Sequence, residues 1–371
     1  MNTNKQSSNS QACGEQVAST AKKQPLCQQL KLALDVHAAS IVAVRMLDGA
    51  KPQPPQTFTP AAFLAWVKKQ QALAQEVVSC YEAGPTGFWL HRQLTALGVR
   101  NYVVCPTRLD ERHRGVANDK TDATELATRL DRYLAGNDKA LAIVRVPTEA
   151  EEIKRTRKRQ RQQLREQRLS LAAQGRSLML LHGRRESNQW WHPARWARLE
   201  AELADWLLKL LQDFRQHILA LDQTVRQLTG ELAAQAPKVR PKGMGALTHE
   251  AVETEVADWH RFKNWRQVGS YAGLTGGVSA SGQSSADLSI TKAGNKRLRT
   301  ELVELAWRLL LYQPDYWLVK KWQKTLLNPQ AHRRARKRAI IAFARQLLVD
   351  LWRWKTGRRT PEQLGWIMTA A

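Results

Sequence analysis

Leu30, Leu32 and Leu34 alternate with Lys31, Ala33 and Asp35, the two-residue period of a strand with one buried face. A second strand is predicted over 40–47, and Asp48-Gly49 behind it is a turn signal that folds the chain back. An amphipathic helix is predicted over about 60–74, after a proline-rich stretch near Pro52. Val77 to Tyr81 is a short apolar run, as in a central strand covered on both sides. A helix over 86–97, a strand over 101–105 and a helix beginning near Asp119 continue the alternation. A hairpin of strands followed by alternating helices and strands is the order of a ribonuclease-H-like sheet, although many α/β folds begin similarly.

Beyond residue 147 the pattern changes. Residues 148–235 carry long helical stretches, broken near 183–193, which predicts two helices in an antiparallel, coiled-coil-like hairpin. A mainly helical third region, 236–371, opens with Gly243-Met244-Gly245 and contains a Gly/Ser-rich loop over 273–289. It ends in helices carrying Arg333, Arg334, Arg336, Lys337 and Arg338. Residues 1–29, rich in Ser, Asn and Gln, read as a disordered lead. The expected architecture is therefore α/β plus α: an α/β domain over 30–147, the hairpin over 148–235 and a helical domain over 236–371. No repeat period of 20–50 residues runs through the chain.

Charge narrows the function. Lys and Arg number 58 against 33 Asp and Glu in 371 residues, a formal net charge of +25. Such a surplus repels itself unless a polyanion offsets it, and nucleic acid is the usual one. A membrane surface is the competing partner, but no apolar run approaches the length that crosses a bilayer and the N-terminus lacks a signal-peptide pattern. Cys13, Cys27, Cys80 and Cys105 have neither zinc-type spacing nor disulfide-scaffold density, which fits a reducing cytoplasm. Lys154, Arg155, Arg157, Lys158, Arg159, Arg161, Arg165 and Arg168 crowd the first hairpin helix with few compensating acids. A run of one sign this dense points to nucleic acid, where a solvated helix face is the plainer explanation of charge runs in general.

The carboxylates suggest chemistry. Asp35 and Glu82 end predicted strands, where open α/β sheets build their sites; acids also mark strand ends simply because turns are polar. Asp119 and Asp122, three apart, share one helix face with Ala123, Leu126, Leu130 and Leu134 behind them. Two carboxylates on a core-facing edge repel and desolvate one another unless a cation lies between them. Magnesium takes hard oxygen ligands and leaves positions open for phosphate. An exposed helix start favoured by the macrodipole is the alternative. His37 shares the strand face of Asp35 and reads as packing or phosphate-adjacent. The 14 tryptophans, Trp190, Trp191 and Trp196 among them, read as core and interface anchors.

These pieces resemble a known family. Asp35 in Leu-Ala-Leu-Asp-Val-His, Glu82 in Tyr-Glu-Ala-Gly-Pro-Thr-Gly, and Asp119-x-x-Asp122-Ala-x-x-Leu-Ala resemble the DEDD, RuvC-like domain of the insertion-sequence one-ten family of transposases. Tyr271-Ala272-Gly273-Leu274, Ser281-Gly282, Ile290-Thr291-Lys292-x-Gly294-Asn295 and Leu298-Arg299 resemble its second, transposase domain. The resemblance implies DNA strand cleavage and exchange, with donor and target DNA as substrates. It implies Mg2+ on Asp35, Glu82, Asp119 and Asp122, and Ser281 as nucleophile. It also implies a structured guide RNA from the mobile element and a homo-oligomer, a dimer or tetramer. Gly243 and Gly245 resemble the turn of a helix-hairpin-helix, whose backbone N–H groups approach phosphate, although Pro241-Lys242-Gly243 stands where the family usually has Pro-Gly. Lys292 and Arg299 are candidate phosphate clamps, with surface charge the equal alternative.

Two rivals remain at this point. A junction-resolving nuclease would use the same carboxylates with metal-activated water and leave no covalent protein–DNA bond. A non-catalytic scaffold would bind nucleic acid with a steep salt dependence and be indifferent to magnesium.

Overall fold

In the computed structural model, residues 26–106, 119–281 and 284–369 are described, with the backbone alone for 119–120, 278–281 and 284–288. The chain divides into two compact units, Met1–Val146 and Pro147–Ala371. It is a mixed α/β protein, and none of its described helices is long and apolar enough to cross a membrane.

The first unit is built on five strands: β1 (Cys27–Val36), β2 (Ile41–Leu47), β3 (Gln56–Phe58), β4 (Ala74–Glu82) and β5 (Arg100–Val104). Their order is β3-β2-β1-β4-β5. β2 runs antiparallel to both β1 and β3, while β4 is parallel to β1 and β5 to β4. α1 (Pro60–Gln71) and α2 (Trp89–Ala96) cover one face, where Phe63, Val67, Leu90 and Leu94 meet Leu30, Leu32, Leu34 and Tyr81. α3 (Asp119–Leu134) covers the other, packing Ala123, Leu126, Ala127 and Leu130 onto Ala33, Val44, Val78 and Cys80.

Several sequence expectations change here. The lead expected to be disordered through residue 29 ends sooner, because 27–29 already belong to β1. Leu26 and Cys27 donate to the carbonyl of Leu73, and Gln29 pairs with Glu76 of β4. Residues 1–25 lie outside the described residues. β1 is buried on both faces, not one: Ala33 and Lys31 lie under α3. Lys31 tolerates burial because its Nζ donates to the Asp48 carbonyl at 2.7 Å and ion-pairs with Asp131. The first helix stops at Gln71, so Ala74 starts β4, and α2 begins only at Trp89, after a turn closed by Gly87 N–H to the Gly84 carbonyl. The short β3 has no periodic signal of its own and was not expected.

The second unit holds α4 (Glu149–Leu181), α5 (Pro193–Glu202), α6 (Asp205–Ala234), α7 (Ala246–Val256), α8 (Trp265–Tyr271), α9 (Lys296–Tyr312), α10 (Trp317–Leu326), α11 (Arg333–Lys355) and α12 (Pro361–Leu364). Thr148 and Glu151 form a reciprocal capping box that starts α4. α4 then runs roughly 50 Å at 1.5 Å per residue, packed along α6. Trp190, fully buried, closes the hairpin with Trp191 and Trp196, as tryptophan anchors should. Its indole lies so close to Gly175 that a Cβ there would sit 2.3 Å from the ring, so α4 needs glycine at that turn. A second core of α7 to α12 gathers Leu302, Leu309, Tyr316, Phe343 and Leu347.

The expected Gly/Ser-rich loop is instead a two-stranded hairpin, β6 (Gly276–Ser281) and β7 (Ser284–Ile290), with Ser281 paired to Ser284 at its closed end. Two residues separate the strands, a spacing typical of tight hairpins. Glycine and serine content masked that signal.

Candidate functional site

Three of the four predicted carboxylates gather on one face of the first unit's sheet. Side chains alternate along β1, so Asp35 follows Ala33 onto the face under α3. Along β4, Glu82 follows Val78 and Cys80 onto that same face. Leu34 and Tyr81 are registered neighbours of the parallel pair, so Asp35 and Glu82 are each one residue further along adjacent strands. Asp122 descends on them from the first turn of α3, half-buried ahead of Ala123 and Leu126. Asp119 opens the same helix, and only its backbone is described.

The electrostatics show that these groups feel one another. Solvent reaches Glu82, but the packing around it desolvates the carboxyl and raises its pKa above the ordinary value. Arg129 pulls it back down, while Asp122, Asp35 and Glu125 push it up. Arg129 is fixed by donating Nε to the Ala140 carbonyl at 3.0 Å. Glu125 and Arg129 were missed in the sequence, although they lie one and two turns after Asp122 on the same helix. His37, expected to be packing or phosphate-adjacent, brings Nε2 to 3.2 Å from Asp35 Oδ2.

Among the described residues no three His, Cys, Asp or Glu side chains converge closely enough to hold a metal ion. What the cluster offers is a set of hard oxygen donors in which Asp122 and Asp35 raise the proton affinity of Glu82. That is the environment a hard divalent cation relieves. Cys80, beneath it, is a fully buried thiol whose pKa burial drives far upward, so it is no nucleophile.

In the second unit the backbone of Ser281 lies at the end of β6. The hairpin is anchored where 271–273 meets 292–295. Gly273 and Gly294 have φ of +64° and +142°, and a Cβ on Gly294 would approach the Tyr271 carbonyl oxygen to 2.5 Å. Arg299, a candidate phosphate clamp, donates Nη1 to the carbonyls of Ala272 at 2.8 Å and Lys292 at 3.3 Å. Lys292 itself has a positive φ of +56° and an exposed side chain. Asn295 caps α9 and donates Nδ2 to Glu255 at 2.7 Å.

The basic run of α4 divides in two. Lys154 ion-pairs with Glu250, Arg157 with Glu231 at 3.3 Å, and Arg161 donates to Thr229 Oγ1 at 2.6 Å. Lys158 has its Nζ enclosed beside Glu301, Glu255 and Glu250. Lys154, Arg157 and Arg161 thus have partners inside the chain, and Lys158 sits in acidic surroundings without a hydrogen bond of its own. Arg155 and Arg159 differ, for Arg159 is desolvated and crowded by Arg297 and Arg155, which lowers its pKa. Like charges held together in this way favour an anion. In the glycine turn, Gly243 adopts φ +90° with Tyr312 against it, Met244 is buried, and Gly245 is the N-cap of α7.

Comparison with known proteins fits this arrangement. Residues 240–323, from the glycine turn through β6, β7 and α9, match the family described as Transposase IS116/IS110/IS902. A Sinorhizobium fredii protein provisionally named a transposase is 31% identical over 300 residues, 74% of this chain and 75% of its own. A second protein of that bacterium, named likewise, is 33% identical over 249 residues, 65% of this chain and 60% of its own. The transposase for insertion sequence element IS1111A of Coxiella burnetii is 34% identical over 119 residues, 32% of each chain. Identity sustained across three quarters of a relative, with the family's own region matched inside it, means that this chain belongs to the IS116/IS110/IS902 family of transposases.

Proposed function

We propose that this DNA transposase cleaves and rejoins DNA with a carboxylate site in its first unit and Ser281 as nucleophile, at sites chosen through an element-encoded structured RNA. The observation that carries the reading is the collection of Asp35, Glu82 and Asp122 on one sheet face, where Asp122 and Asp35 raise the proton affinity of Glu82. The strand order β3-β2-β1-β4-β5, with only β2 antiparallel to its neighbours, supports a ribonuclease-H-like, RuvC-like sheet. Asp119, at the start of α3, completes the DEDD set.

Asp35, Glu82, Asp119 and Asp122 are the residues that would hold magnesium. Bound there, the ion supplies positive charge against the scissile phosphate and polarises it. Arg129 tempers the negative charge of the cluster, and His37 orients the Asp35 carboxylate. Ser281 Oγ would attack phosphorus, forming a phosphoserine ester as the bond to the leaving deoxyribose oxygen breaks and that oxygen takes up a proton. Attack by another strand's hydroxyl on the ester then restores a phosphodiester and returns the serine. The energy of the bond is kept through both steps, as covalent catalysis allows. Guide RNA and the homo-oligomer are proposed from the family resemblance. The uncommitted cations Arg155, Arg159, Arg297 and Lys292 suit a backbone-reading role that leaves sequence to base pairing.

The test substitutes Asp35→Asn, Glu82→Gln and Asp122→Asn singly and measures cleavage of element-junction DNA in magnesium. Each variant is expected to bind DNA like the parent and to lose cleavage by at least a hundredfold. Cleavage within a few-fold of the parent in all three would remove the carboxylates from the chemistry.

A further inference from the structure

We propose that the cavity between Trp307 of α9 and the start of α11 is a binding site for an unpaired nucleotide of a DNA strand. The cavity has a volume of 590 Å³ and is lined by Trp307, Pro329, Ala331, Arg333, Arg336, Lys337 and Ile340. That is large enough to admit one nucleobase, and its apolar wall suits a base edge while cations stand at the rim.

Three features select this ligand. First, Trp307 is 37% exposed, on the side of α9 turned away from the nearly inaccessible Leu302, Leu305 and Leu309. An indole open to a cavity is a stacking platform, since every base offers a π face. Second, Arg333, Arg334, Arg336, Lys337 and Arg338 make no ion pair among the described residues, and no lining residue is acidic. The whole stretch from Tyr316 to Val349 contains neither Asp nor Glu. The cations of α4, by contrast, largely find acids inside the chain. Third, the Arg336 guanidinium lies 5.9 Å from the Trp307 ring centroid, and its Nε is enclosed without a hydrogen-bond partner. A donor held against an aromatic ring with nothing to donate to fits a phosphate or base oxygen that arrives with the ligand.

A duplex would not fit. Its bases are stacked inside and cannot reach an indole set in a cavity, so the site takes a base freed from pairing. Strand exchange produces such bases, and the protein's DNA substrate is the reason to choose DNA over RNA. This site is independent of the carboxylates and of Ser281.

The test is photocrosslinking of the full chain to a single-stranded oligodeoxynucleotide carrying 5-iodouracil, with the crosslinked peptide mapped by mass spectrometry, without magnesium. Crosslinking is expected at Trp307. Trp307→Ala should weaken binding of the oligomer roughly tenfold to a hundredfold. The exposed pair Arg333→Gln with Lys337→Gln, which leaves the core untouched, should weaken it and reduce the salt slope by about 1.4, at about 0.7 per phosphate contact. A Ser281→Ala chain should crosslink like the parent, so failure here is separable from failure of the serine mechanism. Unchanged affinity in the Arg333/Lys337 variant, duplex crosslinking as efficiently as single strand, or crosslinking confined to an RNA oligomer of the same sequence would each overturn the assignment.

Discussion

Arg299 Nη1 donates to the carbonyl oxygen of Ala272 at 2.8 Å, tying the first turn of α9 to the segment that leads into β6. A residue whose sequence suggested a phosphate clamp is thus a strut for the hairpin that carries Ser281. Arg299→Ala removes a charge-assisted hydrogen bond from a partly buried site, costing about 1–2 kcal/mol. The melting temperature should fall by roughly 2–8 °C, with DNA cleavage reduced in proportion to the loss of hairpin order. Lysine at this position should recover part of the loss, because Nη1 alone makes both hydrogen bonds and an ammonium, with three donors, can supply them from a similar place. Calorimetry on the three proteins checks this; an unchanged melting temperature with weaker DNA binding would return Arg299 to the phosphate.

Gly294 makes the companion case. Its φ of +142° is closed to other residues, and a Cβ would lie 2.5 Å from the Tyr271 carbonyl oxygen and 2.7 Å from the Gly273 nitrogen. Both obstacles are backbone, so neither can step aside. Gly294→Ala should cost roughly 3 kcal/mol or more and abolish cleavage, while Gly136→Ala, at φ +99° with open space around it, should cost less. Urea unfolding of both variants decides between a general positive-φ cost and the specific collision.

How much of this was legible beforehand depends on how local each signal is. The i, i+3 spacing of Asp119 and Asp122 located the start of α3, the strand-end position of Glu82 followed from Ala83-Gly84-Pro85 behind it, and that of Asp35 from the alternation of Leu30, Leu32 and Leu34. Arg129 was missed because a cation beside the packed stripe of an amphipathic helix carries no pattern until Glu82, distant in sequence, is seen beside it. Burial of Lys31 was invisible for the same reason, its partner Asp131 being one hundred residues on. The basic run of α4 looked uniform because Glu231, Glu250, Glu255 and Glu301, which engage part of it, come from three other helices. Periodicity finds elements and faces; long-range pairing is set by topology.

That engaged part of α4 makes a pH prediction. Lys158 is desolvated beside Glu301, and burial lowers the lysine's pKa while raising that of Glu301. A carboxyl with a raised folded pKa contributes stability at low pH that is lost as pH rises through that value. Lys158→Met removes the opposing positive charge, so the pKa of Glu301 climbs further. The variant should lose about 1–3 kcal/mol near pH 8 and much less near pH 5, where Glu301 can be protonated. Lys158→Met with Glu301→Leu should recover most of the loss at pH 8. Urea denaturation at the two pH values reads this directly; equal losses at both would show that Lys158 acts by packing alone.

The carboxylate cluster predicts a metal-linked stability. With chelator present, Glu82→Gln should melt at or slightly above the parent temperature, since it removes a desolvated carboxyl repelled by Asp122 and Asp35. Adding magnesium should raise the melting temperature of the parent and leave the variant unmoved. A parent chain indifferent to magnesium by scanning calorimetry, and cleaving DNA in chelator, would contradict the cation site.

The most direct measurement is to incubate the protein with magnesium, junction DNA of its element and RNA transcribed from the element's flanks, then denature it and look for DNA bound covalently to the chain. The account predicts an adduct whose attachment maps to Ser281 and that disappears in both Ser281→Ala and Asp119→Asn. Cleaved DNA with no adduct, or an adduct that persists in Ser281→Ala, would contradict it.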